Sequence, residues 1–127
     1  MTQLPFRFNN RYRGRTRGAN SPEKMNGLEK KYADYLDGLQ LAGKIAGWWF
    51  HPFGLRLAPK TFLHPDFLVM KLDGSLYVHD TKGGPVEDDA AVKMKCAAEK
   101  FPFRFQYVRW KNSQWEITDA INYGETA

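Results

Sequence analysis

A chain of 127 residues holds one domain and one hydrophobic core, and its 43% apolar and 15% aromatic content argues against disorder. No apolar run approaches the roughly 20 residues of a membrane helix. The N-terminus lacks a secretory apolar stretch, and the lone Cys96 excludes an internal disulfide and a cysteine-rich zinc site. The formal net charge of +5 sits in one place: Arg7, Arg11, Arg13, Arg15 and Arg17 fall in residues 1–22 without an acid, and are the whole excess of 19 basic residues over 14 acidic ones.

Residues 1–21 interleave those arginines with Phe8, Tyr12, Gly14 and Gly18 and follow neither a helical nor a strand period. They read as a flexible basic arm, followed by a single folded domain over 22–127. Arginine binds phosphate in bidentate fashion and tyrosine stacks on bases, so nucleic acid is the natural partner. The plainer alternative is a solubilising tail, or an arm that orders only against its own body.

Asn20, Ser21 and Pro22 form a helix start, and the helix is expected to run to Ala42 and stop at Gly43. Met25, Leu28, Tyr32, Tyr35, Leu36 and Leu39 make its apolar stripe, with Glu29 at the margin. Residues 45–57, IAGWWFHPFGLRL, read as one strand broken or bulged near Pro52, with Trp48, Trp49 and Phe50 in the core. Residues 64–84, HPDFLVMKLDGSLYVHDTKGG, read as a β-hairpin. Gly83, Gly84 and Pro85 then open a second helix from Val86 to Lys100. Ala90, Met94, Ala97, Ala98 and Phe101 follow its period, Glu87, Asp88 and Asp89 lie in its first turn, and Cys96 is expected as a small buried hydrophobe. A strand over 103–110, a turn at KNSQ and a strand over 115–118 follow, and the last residues form a final helical turn or fray. The order α-β-β-β-α-β-β implies one mixed sheet with helices packed on it, an α/β fold.

The hairpin allows two registers. A two-residue turn at Asp73-Gly74 sends Asp66 and Asp80 to opposite faces. A three-residue loop, Leu72-Asp73-Gly74, with Gly74 left-handed, sets Asp66 directly across from Asp80. Leu68, Met70, Leu76 and Val78 then share a face with Asp66, Asp80 and Lys82, while His79 turns away. Burial of one coherent aliphatic face favours the three-residue loop. Opposed carboxylates repel, so a cation belongs between them. Lys82 is one candidate; a divalent metal such as Mg²⁺, which accepts one or two carboxylates, a backbone carbonyl such as that of Thr81, and waters, is the other.

Pro65-Asp66, then Asp80-Thr81-Lys82 after a hairpin, with Glu29 on a preceding helix, resembles the PD-(D/E)XK nuclease superfamily. The element order agrees with its restriction-endonuclease-like αβββαβ core. The stretches LEKKYADYLDGLQLAGKIAGWWFHPFGLRLA, FLHPDFLVMKLDGSLYVHDTKGG and EDDAAVKMKCAAEKFPFRFQYVRW are similar to a family of small phage-encoded endonucleases of that superfamily. The chain departs from the family's usual glutamate at Asp80, whose carboxylate reaches about one methylene less far. The resemblance implies a DNA endonuclease using Mg²⁺, or Mn²⁺ in its place. Asp66, Asp80 and the Thr81 carbonyl would bind the metal, Glu29 would support it, and Lys82 would orient water or stabilise phosphate charge. It further implies branched or single-stranded DNA from replication or recombination as substrate, as for the fold-related junction resolvases, a homodimer, and the cytoplasm of a phage host. Lys93 and Lys95 either touch the DNA backbone or form a solvated helix face. A second reading keeps the fold without catalysis, as a DNA-binding or inhibitory protein.

Overall fold

The structure, a computed structural model, describes residues 25–121. Arg7, Arg11, Arg13, Arg15 and Arg17, the expected helix start at Asn20-Ser21-Pro22 and the final residues lie outside the described residues. The first helix, α1 (Gly27–Leu41), begins later than those residues suggest, because Asn26 caps it. The Asn26 side chain accepts from the Glu29 amide at 2.8 Å, and Glu29 Oε1 accepts from the Asn26 amide at 3.0 Å. Two amides that open the helix are thereby satisfied. Gly43 follows the helix with φ +74°, the left-handed stop expected of it.

Strand β1 (Gly47–Phe50) is buried at all four positions. It ends where His51 turns left-handed, at φ 48°, before Pro52, which has no N–H to continue a ladder. Residues 45–57 are therefore a run broken near Pro52, one of the two expected alternatives, and not a bulged strand. Strand β2 (Leu55–Ala58) leaves the main sheet and pairs with β3 (Thr61–Leu63) in a separate two-stranded sheet. The hairpin β2–β3 was not foreseen; it turns at Pro59-Lys60, with Lys60 at φ 60°.

The main sheet adds β4 (Phe67–Met70), β5 (Leu76–Thr81), β6 (Arg104–Lys111) and β7 (Gln114–Asp119) to β1, in the order β1-β4-β5-β6-β7. Only β5 and β6 run parallel, joined across α2 (Asp88–Lys100), so the protein is a mixed α/β fold with a five-stranded mixed sheet. Asn112 and Ser113 at φ 53° and 61° make the tight turn between β6 and β7.

The β4–β5 register pairs Phe67 with His79, Leu68 with Val78, Val69 with Tyr77 and Met70 with Leu76, and Gly74 has φ +88°. The three-residue loop is the one formed. Leu68 and Val78 pack with Trp49, Met94, Ala97 and Tyr107 under α2. The opposite face is buried too: Phe67 and Val69 pack with Tyr32, Leu36, Trp48, Phe50 and Val108 under α1. His79 lies there, 2% exposed and held at both nitrogens. The Gln106 amide donates to Asp119 at 2.8 Å, so its oxygen accepts from His79 Nε2 at 2.9 Å, and the Tyr32 hydroxyl donates to His79 Nδ1 at 2.7 Å. Burial pushes His79 down to about 4, so the ring is neutral. Cys96, expected to be buried, is exposed. Among the described residues no helix is long and apolar enough to cross a membrane.

Candidate active site at the strand ends

Three strands bring their ends together at one edge of the main sheet. Phe50 pairs with Phe67, and Phe67 with His79, so one step further along are His51, Asp66 and Asp80. Asp66, Asp80 and Lys82 line one open cleft of about 450 Å³, together with His64, Glu87, Asp89 and Lys93. The hairpin thus delivers to one place the charged residues that its sequence suggested. Lys82 Nζ lies 2.9 Å from Asp80 Oδ2, with the two side chains 24% and 12% exposed.

Asp66 precedes the first ladder pair, and its carboxylate reaches across the strand end. Oδ2 accepts from both the backbone amide and the hydroxyl of Thr81, each at 3.0 Å. Besides the carbonyl expected of it, Thr81 contributes two donors that orient Asp66. These bonds favour the ionised form, yet the opposing effects win. Burial first, then the charges of Asp80 and Glu29 and a hydrogen bond shared with Asp80, push Asp66 up to about 8. An acid held that far above its ordinary range keeps its proton at neutral pH, and a cation bound beside it would favour the ionised form.

Glu29 comes from α1. The capping box that starts the helix also fixes its carboxylate, and Glu29, His51 and Asp66 each offer a ligand atom within 4.8 Å of the others. Such a cluster is close enough to share one cation and does not by itself name the metal. The carboxylates are hard oxygen donors of the kind Mg²⁺ and Mn²⁺ take, and His51 adds a nitrogen, so the residues fit a divalent ion.

His51 was missed from sequence. Its backbone N–H donates to the Asp66 carbonyl at 2.9 Å, and its ring stacks on Phe50 at 3.8 Å. Burial lowers its pKa, against the pull of the Glu29 carboxylate, so the imidazole favours its neutral, metal-binding form. Glu87 and Asp89, which the sequence places in the first turn of α2 as helix-dipole partners, also line the cleft. Lys93 lines it as well, whereas Lys95 is not among the lining residues. His64 stacks on Phe62, with centroids 6.0 Å apart, and lies so close to Gly54 that a Cβ there would come within 2.8 Å of its ring.

No family model, curated protein or solved structure matches this chain. The functional reading is therefore carried by these residues and their arrangement.

Proposed function

We propose that the protein hydrolyses phosphodiester bonds of DNA with a divalent metal, Mg²⁺ or Mn²⁺, on a restriction-endonuclease-like core. The observation that carries the reading is the convergence of Asp66, Asp80 and Lys82 on one cleft at the ends of β4 and β5. The αβββαβ order, with β2–β3 as an insertion, also supports it. Branched or single-stranded DNA is the substrate class that the resemblance suggests, with a homodimer and a phage host as its setting.

The chemistry follows from charge. A phosphodiester is anionic, and its hydrolysis builds further negative charge on the attacked phosphorus. Asp66 and Asp80 would hold the metal, with Glu29 and His51 beside them. A divalent ion bound there supplies charge neutralisation and a water of lowered pKa. Thr81 holds Asp66 in one orientation through two hydrogen bonds. Lys82, drawn to the cleft by Asp80, places an ammonium where phosphate charge develops or where the attacking water is oriented.

The Lys82–Asp80 ion pair also favours a second reading, because it neutralises one acid without any metal. A catalytically silent DNA-binding protein would keep that pair for stability. Plasmid nicking separates the two. The nuclease reading expects nicking in Mg²⁺, none in EDTA, and at least a hundredfold loss on Asp80→Ala or Lys82→Ala, on the order of a lost charge-stabilising group. Nicking that survives both substitutions removes the site, and salt-sensitive binding without nicking supports the silent protein.

A further inference from the structure

A second cleft, also of about 450 Å³, lies beside the first and shares Lys82 with it. The two have opposite chemistry. The first sets Asp66, Asp80, Glu87 and Asp89 against Lys82 and Lys93. The second sets Lys82, Arg109 and Lys111 against Glu116 alone, with Gly83, Gly84 and Trp110 completing much of its wall.

Strand pairing makes this second cleft. The parallel β5–β6 ladder continues past β5, where the Lys82 amide donates to the Val108 carbonyl at 2.9 Å. Gly83 and Gly84 are thereby laid alongside residues 109–111. Both glycines are exposed, and nothing lies within 4 Å of where a Cβ would stand, so their backbone is open to a bulky anion. The Arg109 guanidinium donates to the Gly84 carbonyl, which ties its charge to that turn. Lys31 Nζ stands 3.5 Å from the Trp110 ring centroid and adds a cation at the margin.

We infer that this cleft is a phosphate-binding subsite for the DNA strand that flanks the bond to be cut. That this strand is one being cut rests on the nuclease reading; its binding does not. The acids of the first cleft, Asp66, Asp80, Glu87 and Asp89, outnumber its two lysines, and Lys82 is already engaged by Asp80, so that cleft offers a polyanion little hold except at a bound cation. A strand lying there needs its hold elsewhere, and the adjoining cationic cleft, reached past Lys82, is where phosphates find it. Contacts of this kind carry little sequence information, so the subsite binds without base preference.

Fluorescence anisotropy with 5′-fluorescein DNA, single-stranded and duplex, tests this in EDTA over a range of salt. The variants are Arg109→Gln/Lys111→Gln, Lys111→Gln alone, and Lys44→Gln, exposed in the connection between α1 and β1, as control. The double variant should bind about five- to tenfold more weakly and flatten the slope of log K against log salt by about 1 to 2, at roughly 0.7–0.9 per lost phosphate contact. Lys111→Gln should show about half of each effect, and Lys44→Gln neither. Lys111 is exposed at the last position of β6, so that variant keeps the test readable if the double variant misfolds. Wild-type affinity and slope in Lys111→Gln, or no measurable binding by the wild type, overturns the subsite. DNA binding that depends on Lys111 in a protein that never nicks plasmid in Mg²⁺ upholds the subsite and removes the nuclease reading. Nicking with unchanged binding in Lys111→Gln does the reverse.

Discussion

At Asp66 two hydrogen bonds from Thr81 oppose burial and two neighbouring carboxylates, and the repulsive side prevails. Removing one bond should therefore tilt the site further. Thr81→Val deletes the hydroxyl donor and keeps the shape and the backbone donor. A hydrogen bond to a charged group contributes about 1.5–3 kcal/mol, so Mn²⁺ affinity should fall at least about tenfold, with Thr81→Ser restoring it. Calorimetric titration with Mn²⁺ reads this, and an unchanged affinity would detach Asp66 from the metal. Acidity gives a second test, in EDTA. Asp66 moves from 3.8 up to about 8, so between those values the native state keeps a proton that the unfolded chain has released, and stability falls as pH rises. His79 moves from 6.5 down to about 4, so there the unfolded chain binds a proton that the native state refuses, and stability rises with pH. The two oppose each other below 6.5, and only Asp66 acts above it. The wild type should lose Tm from pH 6.5 to 8, whereas Asp66→Asn should lose that decline and gain a clear rise from pH 4 to 6.5. Each contributes at most about 1.4 kcal/mol per pH unit. A wild-type Tm that climbs through pH 8 would mean that Asp66 is already ionised.

Among the elements, the β4–β5 hairpin decides whether there is a site at all. Its register moves by one residue with loop length, and such a slip would send Asp66 and Asp80 to opposite faces. Gly74 at φ +88° permits the loop that forms. Gly74→Ala should cost about 1–2 kcal/mol in urea unfolding, and Gly74→Asn less, because asparagine tolerates the left-handed region. Equal stability of all three would mean that the glycine does not set the register. This hairpin was legible because a glycine stands where the three-residue loop needs it and the charged residues then share one end; burial alone was the weaker argument, since Phe67 and Val69 on the other face are as buried as Leu68 and Val78. His51 was not legible. Pro52 marked an interruption of the aromatic run, but nothing in that run names β4 as the partner of β1, so the pairing that sets His51 beside Asp66 is invisible until β4 is seen to be its neighbour. The β2–β3 hairpin was hidden for a related reason: strands so short carry almost no period. Two signals were present and passed over. Asn26 with Glu29 three residues on is a capping-box pattern, and it starts α1 at Gly27. Cys96 lies two positions beyond Met94, about 200° around the helix from a buried side chain, and so faces water.

Over the whole molecule, charge separates by place. The chain from residue 23 onward is neutral in sum, and residues 1–22 hold the entire excess of five arginines. Within the neutral part, one cleft gathers acids and its neighbour gathers cations. A metal-dependent nuclease needs both characters, because acids that hold a cation repel the polyanion on which it acts. Binding and chemistry should then be separable. Replacing Arg7, Arg11, Arg13, Arg15 and Arg17 by glutamine leaves every acid of the candidate site and Lys82 in place. If the arm grips DNA, the salt dependence on duplex should flatten by up to about 4, at roughly 0.9 per phosphate contact, and affinity at low salt should fall by more than tenfold. In single-turnover cleavage at saturating enzyme the rate should stay within about twofold of wild type, because uniform binding changes occupancy and not the chemical step. Steady-state cleavage should show the same loss as a raised KM with kcat preserved. An unchanged salt slope would leave the arm as a solubilising tail and place the whole hold on DNA within the folded body. A collapsed single-turnover rate would place arginines of the arm at the reacting phosphate, where their charge would act on the transition state as well as on binding.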